Sequence, residues 1–408
     1  MWLNWAEINK RSINKKIVFF GRGYLVPKAK VYLTGDIGYI VDNNKYEWGQ
    51  IRELGLEVFN PQKLMEVDWD SIFIVITTSH FDEVKKQLQE FGMVPGKHFC
   101  ISPSLTNHRA QMEIDEHETE VYLTCSDHYV EGDHNYGGGL YKFNTNNSTL
   151  TKLISGKCHG IVSANDCYYM IDDRVHGIRK LDKELQPKEQ FELPMGSRPH
   201  GIAYCPKRNW IFVNLSDHDL IAIYDAEYYT PIKEIRLSEK RWKIGVSQHH
   251  VNDATVYEDS LYVTMFSFSG NWMIGIFDGG ILELDIDSGK WCPTPLVSNL
   301  WMPHTPTIIQ GKLWYCDSMR GKVYCGTEEL PIEFNGFVRG IAYDGRFYYV
   351  GQSLHRHPDR LRKISHNISL DTGIFLIHKE SYMTKFFPTP NLTDINTVLI
   401  PEDNIEGE

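Results

Sequence analysis

With 408 residues, 42% of them hydrophobic and 23% charged, the chain has the composition of a globular protein long enough for two cored domains. Its net charge of −11 argues against a nucleic-acid binder, which needs concentrated lysine and arginine to neutralise phosphate. The opening "MWLNWAEINKRSINKK" lacks the apolar core of a signal peptide and no apolar run reaches membrane-spanning length, so a cytoplasmic protein without a membrane role, its eight cysteines free, is expected.

The first hundred residues alternate strand and helix signals. "KIVFF" from Lys16, "IGYIVDNN" ending its apolar run before Asp42, and "SIFIVITTS" from Ser71 are buried-strand runs. The amphipathic "FDEVKKQLQEFG" and a last strand, "KHFCIS", follow. Such alternation predicts a parallel sheet with crossover helices over residues 1–102. Gly21, Gly23 and Asp42 fall at dinucleotide-fingerprint spacing, but Val26 replaces the third glycine, so tight NAD binding is not expected. The strand, Gly-x-Gly, strand, "VDNN" order resembles the short Rossmann-like domains of bacterial sugar-modifying and surface-glycan proteins, which leaves sugar-nucleotide binding open. Residues 103–119, polar and poor in large apolar side chains, are predicted to be a linker.

Residues 120–408 repeat. Five segments share a polar lead, a short apolar strand, a turn and an aromatic strand ending in Ser or Asp. They are "HGIVSANDCYYMIDD" from His159, "HGIAYCPKRNWIFVNLSD" from His200, "NDATVYEDSLYVTMFS" from Asn252, "HTPTIIQGKLWYCDS" from His304 and "RGIAYDGRFYYVGQS" from Arg339. Third strands follow as "HGIRKLD", "LIAIYD", "GGILELD", "GKVYCG" and "DRLRKIS". "EVYLTCSD" and "GGGLYKF" supply part of a sixth unit, whose missing first strand is expected from the C-terminal "DINTVLI". Six units at roughly 47 residues each predict a mainly β fold, a six-bladed β-propeller closed by strands from both chain ends.

In a propeller the first strand of each blade lines the central channel, so the leads converge at one mouth. His159, His200, Asp253, Thr305 and Arg339 align at one level, with His250 and His304 slightly above. Second strands end on the same face, which adds Asp127, His128, Asp172, Asp173, Asp217, His218, Asp317, Ser318 and Gln352. His159, His200, His250 and His304 with Asn252 form a candidate ligand set for a divalent metal of the zinc, iron or manganese type. Arg339 is the candidate clamp for an anionic substrate. Asp253, Arg339 and Asp217 are candidate catalytic groups, and Asp172, Trp272 and Asp317 candidate substrate contacts alongside Arg339.

The bland alternatives are a lead histidine capping its own blade and a terminal Asp acting only as a turn former. Neighbours on a strand face opposite ways, so His250, in phase with Asn252, is expected in the channel and His249 elsewhere; a bulge would bring Asp253 there instead. Phe266, Phe268 and Trp272 are candidates to stack on a sugar ring, whereas His355 and His357 are expected on the surface.

The "HGI" leads resemble those of virginiamycin B lyase-type propellers, and "HVND" resembles the metal lead of the gluconolactonase type, carried here by Asn252 and Asp253 alone. The broadest resemblance, over residues 120 to 400 and carried by "QHHVNDA", "DGGILELD" and "MPHTP…GKLWYCDS", is to a bacterial propeller family known only as a domain of unknown function. The residues together point to a metal-dependent lyase, hydrolase or isomerase acting on a small anionic or sugar-like molecule. The alternative is a non-catalytic ligand-binding or scaffold propeller in surface-glycan or sugar metabolism.

Overall fold

The computed structural model describes residues 2–126, 137–361 and 367–401. Two compact units divide between Asp115 and Glu116.

The first unit is a five-stranded, all-parallel sheet ordered Val58–Phe59, Ile37–Val41, Lys16–Phe20, Ile72–Ile76, Phe99–Ile101. Ile17, Val18, Phe19 and Phe20 are fully buried, as a central strand covered on both faces requires, and this explains the unbroken apolar run. Helices Trp5–Arg11, Leu25–Tyr32, Phe81–Glu90 and Thr106–Asp115 accompany the sheet. The last of these corrects the predicted linker. Its polar composition belongs to a helix that buries only Ala110 and Ile114. This parallel α/β arrangement is compatible with the Rossmann-like expectation.

The second unit is mainly β and consists of six four-stranded antiparallel sheets, the blades of a propeller. The inner strands of blades one to six are Thr397–Leu399, Cys158–Ala164, Pro199–Cys205, Val251–Tyr257, Pro303–Ile309 and Phe337–Tyr343. Blade one closes the ring as expected: Thr397, Val398 and Leu399 pair with Thr124, Leu123 and Tyr122, so C-terminal and N-terminal strands share one sheet. Each pair of blades packs face to face through apolar residues, as where Tyr169 and Ile171 meet Ile202 and Tyr204. The third strand of blade six is Gly373–His378 rather than "DRLRKIS". Pro358–Leu361 forms a short 3-10 turn and residues 362–366 lie outside the described residues. Only "GIFLIH" offers enough apolar surface to be buried there, as five of its six residues are.

One irregularity recurs and positions the site. In blades two to six the register between the inner strand and its neighbour slips at the lead, between Asp172 and Met170, Pro199 and Ile202, Val251 and Ala254, His304 and Thr307, and Arg339 and Ile341. Such a bulge turns consecutive residues away from strict alternation. The glycines of "HGI" then have a steric reason. A Cβ on Gly201 would sit 2.5 Å from Asn252 O and from Asp253 Cα, because the next inner strand passes that close.

Candidate functional site

The backbone contacts fix which leads share a level. Gly160 faces His200 O, Gly201 faces Asn252 O, Asp253 accepts from Thr305 N at 2.8 Å, and Gly340 N donates to Thr305 Oγ1 at 2.8 Å. Gly340 in turn faces Thr397 and Val398. The residues one step earlier form a ring, one from each blade: His159, His200, Asn252, His304, Arg339 and Asn396. Asn252 and His304 therefore stand level with His159 and His200, while Asp253 and Thr305 lie one step further in. The expected alignment is off by one residue in blades four and five, because bulges cannot be counted in sequence. Asn396 was legible through the same repeat, since it precedes Thr397 as His159 precedes Gly160.

The imidazoles touch in series. His159 and His200 ring centroids lie 4.7 Å apart, His200 and His250 5.3 Å, and His250 packs on Phe266 at 4.3 Å and Trp272 at 4.4 Å. His250 thus faces the mouth as expected. His249 instead turns to Ser267, its Nδ1 2.8 Å from the carbonyl oxygen. His159, His250, His304, Asn252 and Arg339 are 9%, 4%, 2%, 2% and 7% exposed. Burial, the largest cause, pulls the imidazoliums of His159 and His250 down to about 3, with Arg339 adding to the effect in both. Burial also drives His200 and His304 well below the ordinary histidine range. All four are neutral at pH 7.

Beside the histidines is a charged node that sequence reasoning missed. Arg339 Nη1 donates to Asn396 Oδ1 at 2.6 Å and lies 4.0 Å from Asp394 Oδ2; Arg356 Nη2 donates to the same oxygen at 3.1 Å. Ser126 Oγ donates to it as well, at 2.8 Å. Burial opposes ionisation of Asp394, but Arg356 and Arg339 outweigh it and hold the carboxyl below its ordinary range.

Asp172 and Asp317, expected to contact substrate, are fully buried clamps. Asp172 accepts from Lys157 N and Arg174 N, both at 3.0 Å, and from Arg179 at 2.9 and 2.8 Å. Asp317 accepts from Trp301 N at 2.7 Å and Arg320 Nη1 at 2.9 Å, with burial pushing its carboxyl up to about 6. In blade three the equivalent clamp is Asp219, which accepts from His250 N at 2.9 Å. Asp217, two residues earlier, lines a separate small surface pocket with Arg198 and Ser197. The bland turn-forming alternative holds for Asp172 and Asp317, whose carboxylates satisfy the backbone that enters their own blade's inner strand, while Asp219 does so for the strand of the next blade. Trp272 does reach the mouth through His250. His355, expected on the surface, is 5% exposed, covered where its ring meets Phe337. Asp127 and His128 lie outside the described residues.

Of the expected metal set, His304 has both ring nitrogens engaged within the protein. Its Nε2 is 2.6 Å from Asn252 Nδ2, and its Nδ1 is 2.8 Å from both Met302 O and Ser318 Oγ. Among the described residues no three His, Cys, Asp or Glu side chains are grouped to hold a metal ion. What the mouth does offer is unused hydrogen-bonding capacity. His159 Nδ1, His200 Nε2, His250 Nδ1 and Trp272 Nε1 are buried with no partner among the described residues.

A cavity lies beyond the ring. It has a volume of about 600 Å³ and runs along the inner strands from Asp253, Thr305 and Asn396 to Gln310, Tyr343 and Lys379 at their far ends. The histidines do not line it. In the first unit, Asp42 accepts from Asn44 N of its own turn at 2.8 Å and from Arg22 N, between Gly21 and Gly23, at 3.0 Å.

Residues 187–385 match the family model described as a domain of unknown function (DUF4915). The matched span runs from the outer strand of blade two into the outer strand of blade six, and so includes His200, Asn252, His304 and Arg339. No curated protein matches the chain. Among solved structures, a chain of the nidogen/laminin complex is 12% identical, covers 70% of this chain and 99% of its own, and has a TM-score of 0.48. A streptogramin B lyase is 15% identical, with 67% and 89% covered and a TM-score of 0.41. A catalytically inactive virginiamycin B lyase from Staphylococcus aureus with quinupristin is 18% identical, with 57% and 76% covered and a TM-score of 0.38. At these scores the blade count rests on the strand order itself.

Proposed function

We propose that the histidine ring is the active site of a lyase, hydrolase or isomerase acting on a small polar anion, an organic or sugar acid, in the cytoplasm. The observation that carries this reading is the row of four buried ring nitrogens without partners among the described residues, at His159, His200, His250 and Trp272, next to Arg339. A buried polar atom left unpaired destabilises a fold by about 1–3 kcal/mol, and a bound ligand would relieve several at once. Arg339 and Arg356 supply the charge that an anion needs.

Neutral imidazoles held so low cannot ionise in the empty site. A bound anion raises their proton affinity, so an imidazole can take a proton from the substrate and return it. No metal ligation enters this reading, because His304 is committed to Asn252, Met302 and Ser318. Binding without turnover would instead make the propeller a ligand-holding module.

The test is calorimetry and thermal denaturation against small carboxylates, sugar acids and inorganic phosphate, followed by product analysis of whatever binds. One class is expected to bind saturably to the wild type and to lose binding in Arg339→Gln and His250→Ala. Binding that both variants retain would place the ligand elsewhere.

A further inference from the structure

The 600 Å³ cavity is within the range of ligand pockets and is separate from the histidine ring. Its two ends are chemically opposite. At the end next to the ring Asp253 lines it, with Oδ2 accepting from Thr305 N at 2.8 Å; a carboxylate accepts several bonds, and no described side chain donates to Oδ1. At the far end Lys379 Nζ donates to Tyr343 OH at 2.8 Å and Gly345 O at 3.0 Å, which leaves one of its three donors. The wall between mixes aliphatic residues, Ala254, Ile308 and Ala342 among them, with the threonines Thr255, Thr307 and Thr397. From the level of Thr305 to that of Ile309 is four strand steps, about 13 Å.

We propose that this channel is a second ligand site, entered from the face opposite the histidines, for an elongated molecule with an aliphatic middle. Its inner end carries a hydroxyl or ammonium donor for Asp253, and its outer end an anionic group for Lys379. A ligand with the reverse polarity would set its anion against Asp253 in a low-dielectric cavity. This site does not depend on the chemistry of the mouth.

The experiment is calorimetry with 10-hydroxydecanoate and with decanoate, which has the same anion and chain but lacks the terminal donor. The wild type should bind the hydroxy acid about tenfold more tightly, the usual effect of one charge-assisted hydrogen bond. Asp253→Ala should abolish that preference, and Lys379→Met should weaken both compounds about tenfold. Ala254→Phe should fill the channel and remove binding. Lys379→Met lies at the rim, so it keeps the test decisive if Ala254→Phe fails to fold. Equal affinities in the wild type, no binding at millimolar concentration, or affinities unchanged in Lys379→Met would overturn the proposal. Binding lost in His250→Ala but kept in Ala254→Phe would also overturn it, while leaving the mouth as a ligand site.

Discussion

Asn252 Nδ2 donates to His304 Nε2 across 2.6 Å, joining blades four and five at the ring. The carbonyl of Met302, 2.8 Å from Nδ1, can only accept, so Nδ1 carries the proton and Nε2 presents its lone pair to the amide. Asn252→Ala leaves that buried nitrogen unpaired. A loss of about 1–3 kcal/mol in urea denaturation is expected. A loss below a few tenths would mean that the pair does not organise the ring.

Stability against acid should report the histidines directly. His159 and His250 are held at about 3 in the fold and return to the ordinary value near 6.5 on unfolding. The unfolded chain therefore binds more protons between those values, and stability falls as pH drops through that window. Each histidine contributes a slope of about 1.4 kcal/mol per pH unit. His250→Phe should flatten the decline between pH 6 and 4, measured by chemical denaturation at each pH. An unchanged slope would show that His250 is solvated or paired.

Asp172 tests the clamp assignment. Removing its carboxylate strands Arg179 and two backbone N–H groups, so Asp172→Ala should cost about 3–5 kcal/mol. Adding Arg179→Met should recover part of this, because the orphaned charge is gone. A direct role in substrate binding predicts the opposite pattern: little change in stability and a large change in affinity.

Two glycines should behave differently. Gly201→Ala pushes a methyl group into the backbone of Asn252 and Asp253, which cannot move without shifting the next blade. Strong destabilisation, more than about 2 kcal/mol, is expected. Gly23→Ala meets nothing within 4 Å and should leave the melting temperature nearly unchanged.

Ring closure gives the last prediction. Deleting the residues after Asn391 removes Thr397–Leu399 and exposes the edge of Glu120–Cys125. The propeller should lose cooperative unfolding and become sensitive to limited proteolysis.

The six-fold repeat, the strand borrowed from the C-terminus and the gathering of lead residues at one mouth were all present in the sequence. They depend on local alternation and spacing, which a linear pattern records. His250 was expected inward from strand alternation, but it stands just before the strand with φ +53°, so the turn sets its direction rather than a strand phase. The level of each lead was not legible, because a bulge in every blade from two to six adds a step that no spacing reveals. The roles of Asp172 and Asp317 were also hidden. A terminal Asp looks the same whether it faces substrate or backbone, and only the packed loop beside Lys157 or Trp301 decides. Likewise, four histidines and an asparagine suggest a metal shell, and the sequence does not reveal that His304 is hydrogen-bonded on both sides. One of those bonds joins residues 52 positions apart, Asn252 and His304, and packing between blades alone determines it.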